Sequence, residues 1–455
     1  MAPSNAEKEW QQLDEDLEGI LESVLAGAAE RKIEAMMEIV YSVGVERFGE
    51  KPMLGAKTSG KLTASVEEVE IHLRATHGDQ HRDSPIEDIE GMEEPAPVYP
   101  MDCSEIKLSE VKEVVQKARA GSAPGPSGIT YKVYKKCPKL VRRLWKLLKV
   151  LWRKEKIPES WKKAEGVFCP KQENSLKIDQ FRTISLLSVE CKIYFAILAK
   201  RLLHFMLRNN YIDTSVQKGG VPGFSGCLEH TSILTQLIQE AKTEKKDLSV
   251  VWLDLENAYG SVPHQLIKMA LNKCHVPQQA CRVISQYLDG LQIRFTVNGN
   301  TTAWQSLQRG IITGCTISVI LFVAAMNLVM KPAMLEEVER KISRHLRKWL
   351  GLPPSFTRLG LYSRTARLQL PFTSVVEEFK VCKTRALMTL EGSKDEKVSQ
   401  AGVELRSGRK WSVAKAVQEA KSSLRHRDIV GVVAQGRLGL GAGKTDHQCS
   451  SYAVT

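Results

Sequence analysis

An α+β fold is predicted for this sequence by three observations. Helix-period and strand-period segments are mixed between residues 104 and 332, and the segments on either side are helical in period. The apolar fraction is 43% over 455 residues, enough to bury a sizeable core.

Taken in order, residues 1–50 form an acidic helical arm, with helical periodicity over 8–48 that ends near Gly44 to Gly49. A linker is expected over 51–103, because 51–62 and 78–100 are rich in Gly, Pro, Ser, Asp and Glu, and EEPAPVYP at 93–100 should be extended. A helix is expected at 107–119. It is followed by GSAPGPSG at 121–128, whose Pro and Gly forbid regular structure. PKLVRRLWKLLKVLWRK at 138–154 is a basic amphipathic helix. It fits either a core-packed helix with a solvated basic face or a target helix for calmodulin or a membrane surface. Residues 247–255 read as a strand, 263–274 as a helix opened by Pro263, and 291–307 as a hairpin turning at Asn298-Gly299. The most apolar window, 315–330, is too short to span a bilayer and reads as a buried helix. From 333 to 440 the chain is helical and basic, with RKISRHLRKWLG at 340–351, and 441–455 is a disordered tail.

Charge is segregated. Residues 1–100 carry 9 Lys+Arg against 22 Asp+Glu, which leaves 56 against 30 for the remainder of a chain whose net charge is +13. A surplus this localised favours a polyanionic partner, nucleic acid before membrane. The ten cysteines are scattered without a C-x-x-C pair, so no zinc module or disulfide framework is readable and reduced, intracellular thiols are expected. The start, MAPSNAEKEWQQLDEDLEG, lacks the pattern of a signal peptide, which points to the nucleus or cytoplasm.

One carboxylate stands out. In VVWLDLENAYGSVPH at 250–264, Asp254 ends an apolar, strand-like run, where an isolated acid is costly unless it holds a metal or a partner. Around it, SAPGPSGI at 122–129, FCPKQEN at 168–174, DQFRTISLL at 179–187, QKGGVPGFSG at 217–226 and GIITGCTISVILFVAAMN at 310–327 follow one another in a fixed order. Taken together, these stretches resemble a reverse transcriptase of the LINE type, from retrotransposons without long terminal repeats. The resemblance implies a right-hand polymerase fold, with fingers and a partial palm over 104–332 and a thumb-like region over 333–440. It also implies an RNA template, a DNA primer or target, deoxynucleoside triphosphates and Mg2+ as partners, and no membrane.

Nucleotide joining is an in-line displacement at phosphorus in which two magnesium ions stabilise the attacking and leaving oxygens. Magnesium takes carboxylate and phosphate oxygens, and the resemblance makes Asp254 its ligand and the catalytic carboxylate. Lys171 and Arg182 would then neutralise the triphosphate. Tyr259 would lie under the sugar and screen its 2′-hydroxyl, and Gly314 would let the second palm motif approach the templating pair.

The sequence also departs from the family. The third palm motif, which ends in Asp-Asp, is missing, since no Asp-Asp pair occurs anywhere in the chain. After Gly314 the only aspartates are Asp395, Asp428 and Asp446, and the nearest acidic pair, Glu336-Glu337, sits on a helix-period run. An internal deletion, or omitted exons, is the simplest account. Gly260 replaces an acid, and Thr313 and Thr316 replace the usual Gln and Pro. GLGAGKT at 439–445 is not a phosphate loop, because Leu438 stands where that pattern needs glycine. The reading is therefore a reverse transcriptase domain, catalytically defective, that still binds nucleic acid. Its alternatives are a polymerase completed by an unidentified acid or a partner chain, and a helical calmodulin-type interaction module.

Overall fold

The computed structural model describes residues 7–49, 62–84, 93–225, 228–244, 257–330, 332–349 and 412–423, with single positions at 86, 255, 376, 380, 384 and 387. The chain divides into two compact units, one of Met1–Ile86, Pro95–Tyr211 and Asp254–Ala325, the other of Glu87–Glu94, Ile212–Leu253 and Met326–Thr455.

The first unit opens with α1 (Glu7–Val24), α2 (Ala29–Phe48) and α3 (Val66–His77). The acidic arm is thus two helices, parted by a stretch containing Gly27, which has positive φ. α3 falls inside the region read as linker. Its start is fixed by a capping box in which the Ser65 hydroxyl accepts from the Glu68 N–H and the Glu68 carboxylate accepts from the Ser65 N–H. Val69 and Leu73 then bury one face, which is enough to set twelve residues as a helix within a polar stretch.

Next come α4 (Leu108–Lys117), α5 (Tyr131–Lys136) and α6 (Pro138–Lys154). α6 begins with Pro138 and has no capping side chain of its own. Asp14 of α1 supplies the cap from outside, accepting from the backbone N–H groups of Lys139 at 2.9 Å and Leu140 at 3.0 Å. Leu140, Val141, Leu144, Leu147, Leu148, Leu151 and Trp152 are buried, and α1, α2, α4 and α5 all pack on α6. The apolar stripe that a calmodulin-type or membrane-inserting helix would have to offer is therefore already covered. The core-packed alternative holds for α6.

β1 (Lys163–Pro170) and β2 (Phe181–Leu186) pair antiparallel and lead into α7 (Val189–Arg208), whose thirteen buried residues run through the middle of the unit. Tyr194 of α7 meets Trp161 at a tilt, 5.5 Å between centroids, and Phe195 edge-to-face at 5.4 Å, and Phe195 meets Tyr287 at 4.3 Å. In the second unit α8 (Leu228–Thr243) follows. The first unit then resumes with the short turn of helix α9 (Ala258–Ser261), α10 (His264–Lys273) behind Pro263, and α11 (Gln278–Asp289). The strand expected at 247–255 lies outside the described residues, apart from Leu255.

β3 (Gln292–Val297) runs parallel to β1 and pairs antiparallel with β4 (Asn300–Thr301) and β5 (Gln305–Ser306), giving the order β2-β1-β3-β4. The hairpin turns at Asn298 and Gly299, whose φ angles are +50° and +83°, the left-handed pair that a tight hairpin turn requires. One face of this sheet is core: Ala164, Phe168, Ile293, Phe295 and Val297 are buried, and Phe168 stacks on Phe295 at 4.4 Å. α12 (Thr316–Val329) follows, and α13 (Pro332–Trp349) begins three residues after it ends. Within the second unit, Asn327 accepts from the Asp213 N–H at 2.8 Å, Glu339 accepts from the Val376 N–H at 3.0 Å, and α14 (Val413–Ser423) is the last described helix. No helix among the described residues is long and apolar enough to cross a membrane. The seven cysteines described are free thiols.

Candidate functional site

The β1–β2 hairpin presents Lys171 and Arg182. Lys171 follows β1, with its N–H bonded to the Gln180 carbonyl at 2.9 Å and its ammonium to the Asp179 carbonyl at 2.8 Å. Arg182 stands opposite Cys169 on β2, and both cations are exposed. The turn at their end is closed by Gln180, whose side-chain oxygen accepts from the N–H groups of Leu176 and Lys177 at 2.8 and 3.1 Å.

The turn of residues 310–314 ties this hairpin to the segment that carries Tyr259. On the hairpin side, the Ser185 N–H donates to the Thr313 carbonyl at 3.3 Å and the Thr313 hydroxyl donates to the Thr183 carbonyl at 3.1 Å. Gly314 has φ +90°, and a Cβ there would lie 2.8 Å from the Ser185 carbonyl oxygen, so glycine is required both by conformation and by contact. On the other side, the Gly310 N–H donates to the Val262 carbonyl and the Ile311 N–H to the Tyr259 carbonyl, each at 2.8 Å. His264, which is buried, donates from Nε2 to the Gly310 carbonyl at 2.7 Å. Tyr259 is half-buried with its ring parallel to that of Phe322, centroids 4.8 Å apart, and burial pushes its phenol pKa up. Three of the residues singled out in the sequence, Arg182, Tyr259 and Gly314, therefore sit on elements fastened to one turn.

Asp254 lies outside the described residues. Two of the family departures have a local reason. Thr313 uses its hydroxyl to hold β2, and at position 260 any side chain would start 2.2 Å from the Asn257 amide. Glu336 is exposed on α13, as the helix period of that stretch predicts. Among the described residues, no three Asp, Glu, His or Cys side chains lie close enough together to hold a metal ion.

Two further supports were not legible as site residues. The loop of 122–129 is clamped to α7. Glu190, fully buried, accepts from the Tyr134 hydroxyl and from Ser127 Oγ, and Lys192 donates to the Ala123 carbonyl at 3.5 Å. Burial raises the Glu190 pKa.

The end of α3 grips residues 308–309 in a similar way. The N–H groups of Gln308 and Arg309 donate to the His77 carbonyl at 3.0 and 3.1 Å, and Arg309 Nε donates to the Thr76 carbonyl at 3.0 Å. Burial lowers the His77 imidazole from 6.5 to about 4. A histidine depressed in the folded state gains its proton only on unfolding between those two values, so its contribution is complete above pH 6.5 and is lost as the pH falls towards 4. We expect this residue to remove about 3 kcal/mol of stability across that window. Urea midpoints at the two pH values should differ accordingly, and His77→Gln should flatten the difference.

Residues 169–344 match the family described as "Reverse transcriptase (RNA-dependent DNA polymerase)". The chain is 27% identical over 226 residues to the "Retrovirus-related Pol polyprotein from type-1 retrotransposable element R2" of Nasonia vitripennis, covering 50% of this chain and 21% of that protein. It is 29% identical over 217 residues to the corresponding type-2 R2DM polyprotein of Drosophila melanogaster, 46% of this chain and 19% of that one. The chain carries a reverse transcriptase domain of the non-LTR retrotransposon kind. A third relative, the "Transposon TX1 uncharacterized 149 kDa protein" of Xenopus laevis, is 23% identical over 223 residues, 49% of this chain and 17% of that protein. The reverse transcriptase domain thus spans about a fifth of these curated relatives. The family match opens at Cys169, near the end of β1, and includes Lys171, Arg182, Tyr259, Gly314 and the start of α13. Reverse transcriptases use a divalent metal. The described residues of this domain provide no complete ligand group for one.

Proposed function

We propose that this reverse transcriptase domain retains binding to nucleic acid and has lost polymerase turnover. The observation that carries the proposal is the junction after the second motif. α12 ends at Val329 and α13 begins at Pro332, which leaves no chain for a β-hairpin, and no Asp-Asp pair occurs elsewhere in the sequence. On this reading β1, β2 and the helices around them are fingers, 254–329 is a palm without its third motif, and the helices from α13 onward are thumb-like. Asp254 would then be the single acid left to hold Mg2+, with Lys171 and Arg182 towards the triphosphate of a deoxynucleotide and Tyr259 beneath its sugar. If the missing carboxylates cost about 5 kcal/mol of transition-state stabilisation, the rate falls by roughly three to four powers of ten.

Primer extension on an RNA template with magnesium tests this, with the chain and its Asp254→Ala variant compared after circular dichroism shows both are folded. The expected result is no extension by either, together with RNA binding that weakens steeply with salt. Extension by the unaltered chain that Asp254→Ala abolishes would show a complete catalytic site and overturn the proposal.

A further inference from the structure

The basic side of α6 belongs to none of the elements that carry the candidate site. A repeat of 3.6 residues puts Arg142, Lys146, Lys149 and Arg153 within about 60° of one another, a ridge roughly 16 Å long with a positive charge every 5 to 6 Å. Acidic side chains meet the ridge at its ends. Glu18 holds Lys139 at 2.8 Å, and Glu105 serves both Lys149, at 2.8 Å, and Arg153, at 3.7 Å. Arg142 and Lys146, the N-terminal half of the ridge, are exposed; the Glu18 carboxylate feels the charge of Arg142, but among the described residues no carboxylate lies within ion-pair distance of either.

Resting on the nucleic-acid reading above, we propose that this ridge is an additional phosphate-backbone contact of the domain, separate from Lys171 and Arg182. Charge complementarity selects the occupant: a duplex presents one negative charge per roughly 1.7 Å, so a 16 Å ridge faces several phosphates at once. A lipid surface fits less well. A helix held at an anionic membrane inserts its apolar side, and the apolar side of α6 is covered by α1, α2, α4 and α5. Lys149 also lies over the Trp145 ring at 5.0 Å, and Trp145 Nε1 donates to the Ile106 carbonyl at 2.8 Å, so the ridge is braced along its length.

The test is fluorescence anisotropy of the full chain on single-stranded RNA and on duplex DNA between about 50 and 200 mM salt, against Arg142→Ala/Lys146→Ala. Loss of two phosphate contacts should make the slope of log K against log salt shallower by about 1.8 on duplex or about 1.4 on single strands, and the arm that changes names the bound form. Arg142→Gln/Lys146→Gln should give the same change with the helix surface kept polar. Retained binding with an unchanged slope in both arms overturns the ridge and leaves the domain reading standing. No binding by the unaltered chain overturns both. Loss of binding to phosphatidylserine vesicles with nucleic-acid slopes unchanged would assign the ridge to membranes and overturn the proposal.

Discussion

Arg201→Ala should destabilise the first unit by about 3–5 kcal/mol, read as a fall in the urea midpoint at constant slope. Arg201 projects from α7 with 5% of its side chain exposed and makes a two-pronged contact with Glu110 of α4, at 2.8 and 2.7 Å. The same guanidinium donates to the carbonyls of Ser104 at 2.6 Å, Asp102 at 3.3 Å and Glu105 at 3.4 Å, and lies over Trp152 at 5.7 Å. Alanine would leave a carboxylate that is only 20% exposed without its charge partner, holding just the Lys107 N–H at 2.8 Å, together with three backbone acceptors. Most of the loss comes from leaving one charge without the other. Arg201→Met/Glu110→Leu should therefore recover much of it, and a single-variant cost below about 1 kcal/mol would refute this account.

Gly125→Val should be nearly as damaging, at about 3 kcal/mol. A Cβ at this position would lie 2.1 Å from the carbonyl carbon of Leu187 and 2.4 Å from the Ser188 nitrogen, both backbone atoms that cannot rotate away. The loop would have to lift from α7, breaking the contacts of Ser127 with Glu190 and of Ala123 with Lys192. Thermal unfolding monitored by circular dichroism, with Pro126→Ala at an exposed neighbouring position as control, separates the clash from loss of loop stiffness. Equal melting temperatures for Gly125→Val and the unaltered chain would contradict the packing described.

Elements whose signal is local were legible in the sequence. α6, α10 and the 292–301 hairpin announce themselves by helical period, by Pro263 and by Asn298-Gly299, each of which acts within a few residues. α3 was hidden because its apolar stripe is short and its surroundings polar, although Ser65 and Glu68 spelled a capping box. The parallel pairing of Lys163 with Gln292 joins segments more than a hundred residues apart, and no local pattern encodes it. The site divides in the same way. Lys171, Arg182, Tyr259 and Gly314 carry recognisable side chains or motif positions. The grip of Thr76 and His77 on Gln308 and Arg309 runs largely through backbone carbonyls, which any residue could provide. Thr313 looked like a lost glutamine until its hydroxyl was seen on β2.

Asp14 has a practical meaning for anyone who wants to isolate this domain. Sequence motifs place its beginning after residue 103, and the family match places it at Cys169, but α6, which precedes β1 in the chain, starts with an N-terminus capped by a residue near the start of the chain. Trp10, Leu13, Leu17, Leu21, Ile33 and Met36 belong to the same packed layer as Leu144 and Leu148. A recombinant fragment begun at 104 would keep α6 without its cap and without the α1 and α2 side chains that cover it, and one begun at 169 would lack α6 altogether, so both should aggregate where the full chain stays folded. Catalytic ancestry and autonomous folding have different borders in this molecule.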